Sequence, residues 1–224
     1  MELRAAGISR RFFRETKGSN YFYALKKLDF VLKEGALTVI MGRSGSGKST
    51  LLSILGGILT PSEGEVFLDG KDYYALSDQE ASALRNKHIG IVPQTSTFLS
   101  SLSAYENVLM PGKLYGLAIN EERVKGMLER LGVFSLSKAY PKELSGGELR
   151  RFAIARVLLT CPEIILADEP TGDLDDENTR VVLNLFKEYA GEGKSVLLVT
   201  HEKEAAAYAD ALYEMKEGVL SVGG

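Results

Sequence analysis

The sequence predicts an α/β fold: a mainly parallel sheet forms the core, and a group of helices is inserted into it. Two short runs, Ile164–Ala167 and Val196–Val199, are apolar at every position, which is typical of parallel strands covered by helices on both faces. In the last third of the chain such runs alternate with segments of helical spacing, whereas residues 95–160 show mainly helical spacing.

The first third of the chain reads as strands joined by turns. Ala36–Met41 is a β-rich apolar run that leads directly into glycines, and an apolar helix is expected to begin near Lys48. Glu65–Leu68 alternates only in part and is followed by the turn pair Asp69-Gly70, while His88–Val92 is a third strand candidate.

The middle and the last third provide the remaining elements. Ala104–Tyr115, Glu121–Leu131 and Gly146–Leu159 have the apolar spacing of helices, and Ser145 is a suitable N-cap for the third of them. The elements expected after them are strand Glu163–Ala167, helix Glu177–Tyr189, strand Ser195–Thr200, helix Lys203–Tyr208, and strands Leu212–Met215 and Val219–Val222.

Composition and charge exclude several classes of protein. The 224 residues are 45% hydrophobic and 25% charged, and the net charge of −3 argues against a general nucleic-acid coat. Met1–Gly7 carries two charges, unlike a signal peptide, and the apolar run Leu51–Leu59 is about half as long as the ~20 residues that span a membrane. We therefore expect a soluble chain. Its lone cysteine, Cys161, is expected to be a small core residue and fits a reducing compartment.

A glycine-rich loop indicates a phosphate site. Gly42–Ser49 matches G-x-x-x-x-G-K-[ST] in full and lies between the predicted strand and the predicted helix. The glycines let several backbone N–H groups point at one anion, to which the helix N-terminus adds its positive end. Lys48 is placed to reach the β- and γ-phosphates and the Ser49 hydroxyl to ligate Mg²⁺, so the motif predicts a nucleoside triphosphate as ligand.

Two acids follow a buried strand. Asp168 and Glu169 stand at the carboxyl end of Ile164–Ala167, where open α/β sheets bind their ligands. Because adjacent carboxylates point in different directions, the two can have separate roles. Asp168 is expected to hold Mg²⁺ through a water molecule, and Glu169 is expected to polarise the attacking water. From these two residues alone, the alternative to a catalytic pair is a pair of acids that caps a helix or is exposed to solvent.

Further motifs lie between and after the phosphate loop and the acidic pair. Taken together, all these motifs resemble those of the ABC ATPase family, in the family's order and across essentially the whole chain. The matching segments are Gly42–Ser49 (Walker A), Gln94 (Q-loop), Leu144–Glu148 (signature), Ile164–Glu169 (Walker B), Thr171–Asp175 (D-loop) and His201 (switch histidine).

The resemblance implies a fold and a set of site residues. The fold is a P-loop NTPase core of the RecA type, with an N-terminal antiparallel β-subdomain, over 1–94 and 160–224, and a helical signature subdomain at 95–159. Glu169, His201 and Gln94 would be catalytic, and Ser49, Gln94 and Asp168 would serve Mg²⁺. The expected ATP contacts are Phe12, Gly42, Ser44, Gly45, Gly47, Lys48, Ser49, Thr50, Ser145, Gly146, Gly147 and Asp175. Phe12 matches the aromatic that stacks on adenine; Phe13, Tyr21 and Tyr23 are alternatives, and core packing is an equal one.

The resemblance also implies partners. In the family two copies sandwich two ATP molecules head to tail, and a cytoplasmic cassette is attached to the inner face of the cell membrane through an integral permease. Asp173, where the family usually has a neutral residue, would weaken closure of such a dimer by repulsion. No nucleic-acid partner is expected.

The chain looks most like the subgroup that serves lipoprotein release, macrolide export, antimicrobial-peptide transport and cell-division permeases. The segments that carry this likeness are Glu106–Val108 with Met110-Pro111, Tyr140–Glu143 before the signature, and Glu148 at its end.

The alternative is a soluble ABC ATPase of DNA or ribosome work. Repair and chromosome members of the family insert a long coiled coil between the two Walker motifs, whereas the interval from Gly42 to Asp168 holds only a compact helical subdomain. Translation factors carry two such domains in tandem, whereas this sequence has one, so the transporter class is expected. Phe98, Leu99, Leu102 and Tyr105 either form an exposed docking patch for the permease or pack inside the helical subdomain.

Overall fold

The computed structural model describes residues 1–13, 21–95, 97–117 and 119–223. Its elements follow in chain order with these bounds: β1 Leu3–Phe13, β2 Tyr21–Leu32, β3 Leu37–Met41, α1 Lys48–Leu55, β4 Glu63–Leu68, β5 Lys71–Asp72, α2 Asp78–His88, β6 Ile89–Val92, α3 Ala104–Tyr115, α4 Glu121–Arg130, α5 Gly146–Leu158, β7 Ile164–Asp168, α6 Asp176–Gly191, β8 Ser195–Thr200, β9 Ala211–Lys216 and β10 Val219–Val222.

Two sheets form the frame. The larger has the strand order β10-β9-β3-β8-β7-β6, and its pairs from β9 to β6 are all parallel. The smaller sheet, β2-β1-β4-β5, is antiparallel. Strands β7 and β8 are buried at every position, because helices or the second sheet cover both faces. The predicted fold class, a mainly parallel sheet with an antiparallel β-subdomain and helices, is confirmed.

Two apolar cores lie on opposite faces of the parallel sheet. One packs the antiparallel sheet and α1 against it, with Ile8, Leu25, Leu51 and Ile54 among the fully buried residues. The other packs α3–α6 against it around Phe152 and Phe186. The sheet therefore holds the β-subdomain on one side and the inserted helices on the other.

The helix ends show why these segments begin where they do. Ser103 and Ser145 accept the N–H of the glutamate three residues on, Glu106 and Glu148, and each glutamate accepts the serine N–H in return. Such reciprocal caps satisfy two of the N–H groups that a helix start leaves without partners. The N-cap predicted at Ser145 is present.

One prediction from the sequence was wrong and one helix was missed. The helix expected at Lys203–Tyr208 is present with those bounds, as a 3-10 helix, but α2 was not foreseen, since none of its residues is buried. Cys161 is exposed, not a core residue, because its backbone turns at a φ of 51° just after α5. In the described part of the chain, no helix combines the length and the apolar character needed to cross a membrane. Helices α3–α5 lie within 95–159, but the division into subdomains at those bounds stays a prediction.

Candidate active site

The glycine-rich loop connects β3 to α1. Gly45 and Gly47 have φ values of 78° and 111°, which side-chain-bearing residues rarely adopt. A Cβ on Gly47 would also lie 2.4 Å from the Ala24 carbonyl oxygen. Gly47 is the N-cap of α1, and no side chain of the described residues caps that helix. The first N–H groups of α1 are therefore left to bind an anion.

Lys48 holds its ammonium at the mouth of this loop. The side chain is 5% exposed. Its Nζ donates to the carbonyl oxygens of Gly42 at 2.7 Å and Arg43 at 3.2 Å, and lies 3.5 Å from Oε1 of Glu169. A buried charge needs such partners, and phosphate oxygens can take the place of the loop carbonyls.

The two acids at the end of β7 have different surroundings. Asp168 is buried, and its Oδ1 has no hydrogen-bond partner among the described residues. Burial raises the pKa of Asp168, and the neighbouring Glu169 carboxylate adds to the increase, while the Ser49 hydroxyl opposes it. An unpartnered buried carboxylate oxygen beside a hydroxyl is suited to a hard cation or its bound water.

Glu169 is turned away from its neighbour by its backbone. Its φ of 46° lies in the left-handed region, which costs roughly 1–2 kcal/mol in an L-residue. Its N–H donates to the Val199 carbonyl at 2.9 Å, and this bond ties the strained residue to β8. The carboxylate of this residue contacts Thr200 and His201 at the end of β8.

The end of β8 holds the Glu169 carboxylate by three contacts to Oε2. The hydroxyl of Thr200 donates at 2.9 Å, the N–H of His201 at 3.3 Å, and Nδ1 of His201 lies 3.0 Å away. Burial alone would raise the pKa of Glu169, but the hydrogen bonds from His201 and Thr200 outweigh it, so the pKa falls below its ordinary value. Glu169 is therefore an ionised acceptor at neutral pH.

Aromatic side chains also line the cavity at the β1–β2 pair. Phe12 and Phe22 face each other across the β1–β2 pair and stack with centroids 5.8 Å apart. The guanidinium carbon of Arg10 lies 4.7 Å from the Phe12 centroid. Phe13 instead meets Tyr21 edge to face at 5.6 Å, and it does not line the cavity.

One cavity of about 680 Å³ brings most of the predicted residues together. It is lined by Phe12, Tyr21, Phe22, Tyr23, Ala24, Lys26, Ser44, Gly45, Ser46, Gly47, Lys48, Ser49, Thr50, Gln94, Glu169, Glu217 and Gly218. Sequence reasoning missed Phe22, Ala24, Lys26, Glu217 and Gly218. A signal existed only for Phe22, which stands between the two tyrosines that were considered.

The signature residues lie outside this cavity. Ser145 and Gly146 are exposed at the start of α5. Asp175 caps α6, accepting the Asn178 N–H at 2.8 Å, and does not line the cavity either. The roles predicted for these residues, and for the others in the site, stay predictions.

The predicted docking patch is only partly exposed. Phe98 and Tyr105 pack against the helical core, and the guanidinium of Arg156 lies over the Phe98 ring at 4.9 Å. Leu99 is 52% exposed. Phe98 and Tyr105 therefore agree with packing inside the subdomain and Leu99 with an exposed patch, while Leu102 is half-buried.

Comparison with known proteins shows to which family the chain is similar. A family model described as ABC transporter matches residues 25–172. The chain is 43% identical over 196 residues to "Lipoprotein-releasing system ATP-binding protein LolD" of Aquifex aeolicus, covering 87% of this chain and 88% of that protein. It is 40% identical over 217 residues to "Probable syringafactin export ATP-binding/permease protein SyfD" of Pseudomonas syringae, covering 96% of this chain but only 33% of SyfD. The chain therefore spans about a third of that relative's length.

A solved structure supports the same conclusion. The structure titled "Dimeric Structure of MJ0796, a Bacterial ABC Transporter Cassette" matches with a TM-score of 0.88 at 34% identity and covers 98% of both chains. A second structure of MJ0796, described as a post-hydrolysis state bound to ADP and Pi, matches equally well. With a family model over residues 25–172 and these relatives, the chain belongs to the ABC transporter family, as one of its ATP-binding cassettes.

Proposed function

We propose that this cassette binds Mg-ATP in the 680 Å³ cavity, pairs head to tail with a second copy around the nucleotide, and hydrolyses it to drive a membrane permease. The observation that supports this best is the meeting of three groups in one cavity. They are the phosphate loop, the ionised Glu169 held by His201, and the aromatic pair Phe12 and Phe22.

The donor set fits Mg²⁺. Asp168 offers a buried oxygen without a partner among the described residues, and the hydroxyl of Ser49 lies beside it. Gln94 and Ser49 line the 680 Å³ cavity, at whose edge Asp168 precedes the lining residue Glu169, and Gln94 would add an amide oxygen. Oxygen ligands of this kind are those that Mg²⁺ prefers. When bound, the ion neutralises charge on the β- and γ-phosphate oxygens.

The protein groups divide the work of hydrolysis. Lys48 and the N–H groups of the loop bind the phosphates, whose negative charge spreads over the terminal oxygens as the bond breaks. Glu169 orients a water and accepts its proton, and His201 keeps the carboxylate in place. Phe12 and Phe22 provide ring faces for the adenine, on which a base stacks.

The second copy is needed because the signature residues of a chain do not line its own cavity. Ser145 and Gly146 are exposed at a helix N-terminus, which attracts anions. We expect this end of α5 to cover the nucleotide of the partner copy. MJ0796 is described as a dimeric cassette, and this supports the same arrangement here.

The permease would dock on the inserted helices and place the cassette at the inner face of the cell membrane. Leu99, Leu114, Tyr115 and Leu117 expose large apolar side chains there, with Leu114 69% exposed. The names of SyfD and LolD connect those proteins with export and lipoprotein release, so we propose a permease of that general class. The compact α3–α5 insertion does not favour the alternative of a soluble ATPase in DNA repair or chromosome organisation, whose members insert long coiled coils at this place.

Two experiments test the proposal. Glu169→Gln keeps the side-chain shape and removes the proton acceptor, so we expect a dimer in gel filtration with Mg-ATP and strongly reduced turnover. A variant that remains monomeric and turns over ATP normally would contradict the proposed function.

The second experiment tests docking to the permease. Leu114→Glu should abolish ATP-dependent copurification with a membrane protein encoded beside the gene while leaving the ATPase activity of the isolated cassette intact.

A further inference from the structure

Arg150 links three segments that lie far apart along the chain. It stands on α5, five residues after Ser145, and its side chain is 7% exposed. Its Nη1 donates to the Pro93 carbonyl at 2.8 Å, and its Nη2 donates to Oδ2 of Asp173 at 3.3 Å. One guanidinium therefore connects the signature helix to the residue before Gln94 and to the segment between Glu169 and α6.

Backbone packing brings the same two segments close. A Cβ on Gly147 would lie 2.8 Å from the carbonyl oxygen of Asp173 and 3.4 Å from Cδ2 of Leu174. A Cβ on Gly146 would lie 3.8 Å from Cγ of Asp173. The D-loop thus rests directly on the first turn of α5, and the ion pair lies at the edge of this contact.

The charges explain why Arg150 needs Asp173. A guanidinium that is nearly excluded from water is costly unless it is paired and hydrogen-bonded. Among the residues that the structure describes, only the carboxylate of Asp173 lies within 4.0 Å of the Arg150 guanidinium. Asp173 is itself 57% exposed, so its charge is shared between Arg150 and solvent.

We propose that the Arg150–Asp173 pair is a latch that sets the position of the signature helix relative to the D-loop. This rests on the proposed function, in which both segments face the second copy across the nucleotide. Arg150 and Asp173 are positioning residues, since neither lines the nucleotide cavity. The latch brings Ser145 and the D-loop to the partner's ATP together, and Asp173 strengthens dimer closure.

Simple charge repulsion between the two copies predicts the opposite effect on dimer stability. If the acid at position 173 mainly repels acids of the second copy, its removal tightens the dimer. Asp176 is the matched control: it lies at the first position of α6, three residues further on, and no cation within 4.0 Å is recorded for it among the described residues. Asp173→Asn and Asp176→Asn remove the same charge, but only the first breaks the latch.

The test uses full-length protein with Glu169→Gln as the background, in which Mg-ATP is expected to hold the dimer. The dissociation constant of the dimer is measured by sedimentation equilibrium. We expect Asp173→Asn to raise it about fivefold and Asp176→Asn to leave it unchanged or lower it. Binding of a fluorescent ATP analogue to the monomer should stay the same in both variants, whereas the thermal unfolding temperature should fall in Asp173→Asn, because Arg150 loses its charged partner.

A double-mutant cycle completes the design. Arg150→Gln should also weaken the dimer, and adding Asp173→Asn to it should have no further effect, because the pair is already broken. A tighter dimer in Asp173→Asn, or effects of the two substitutions that add, would overturn the latch. If the Glu169→Gln parent does not dimerise with Mg-ATP, the proposed function fails and the latch with it.

Discussion

Substitution of Thr200 measures directly how much the hydrogen bonds around Glu169 contribute to the free energy of unfolding. Its hydroxyl is fully buried at the end of β8, donates to Oε2 of Glu169 at 2.9 Å and accepts the N–H of Glu202 at 3.1 Å. Thr200→Val keeps the branched shape and removes both hydrogen bonds. It also removes one of the contacts that lower the pKa of Glu169, so that pKa should rise.

The magnitude follows from the two lost bonds. A hydrogen bond to a charged group contributes about 1.5–3 kcal/mol, and a buried N–H left without a partner costs about 1–3 kcal/mol. Because the His201 contacts to Glu169 remain, we expect a net loss of about 2–4 kcal/mol in the free energy of unfolding. For a domain of this size that lowers the melting temperature by roughly 5–15 °C. Urea denaturation and calorimetry measure both quantities.

Thr38→Val is the matched control on the neighbouring strand β3. Thr38 is 1% exposed, and its hydroxyl has no partner among the residues that the structure describes. Replacing an unsatisfied buried hydroxyl by a methyl group should be neutral or stabilise the fold by about 1 kcal/mol. Equal effects of the two substitutions, or a loss below about 0.5 kcal/mol for Thr200→Val, would refute the hydrogen bonding described for Thr200.

Three further predictions concern binding and stability. Phe12→Ala should weaken ATP binding about tenfold or more, because stacking of a base on a ring contributes about 1–3 kcal/mol; Phe13→Ala, outside the cavity, is the control, and equal losses in titration would argue against Phe12. Lys48→Ala should reduce ATP turnover at least ~100-fold through lost phosphate contacts, and unchanged turnover would exclude the loop from the mechanism. Hydrogen bonds from the backbone and hydroxyl of Ser103 lower the pKa of Glu106 in the folded state, so its contribution to stability is present above the ordinary value of 4.5 and lost as the pH falls through the lowered pKa. Glu106→Gln keeps the cap without titrating, and its unfolding free energy should fall less than that of the parent between about pH 6 and pH 3.5; equal falls would contradict the assignment.

Sequence reasoning succeeded where the signal is local. The bounds Ala104–Tyr115 and Ser195–Thr200 agree with the structure residue for residue, because helical spacing and an unbroken apolar run are each read within one segment. The cap at Ser145 is equally local, since the glutamate that completes it is three residues away. The unforeseen α2 has no fully buried residue, and only Ala81 and Leu84 pack partly against the core, so its apolar pattern is weak.

The family of the chain was readable from the sequence alone, because the phosphate loop, the acids after β7 and the signature are short segments that are recognised from neighbouring residues. Only the tertiary structure decided which groups meet. The pairing of β1 with β2 selected Phe22 as the partner of Phe12, and the packing of α5 on the D-loop gave Arg150 its acid. Such contacts join residues that are distant along the chain, and their geometry depends on strand register and helix packing, which no local pattern encodes.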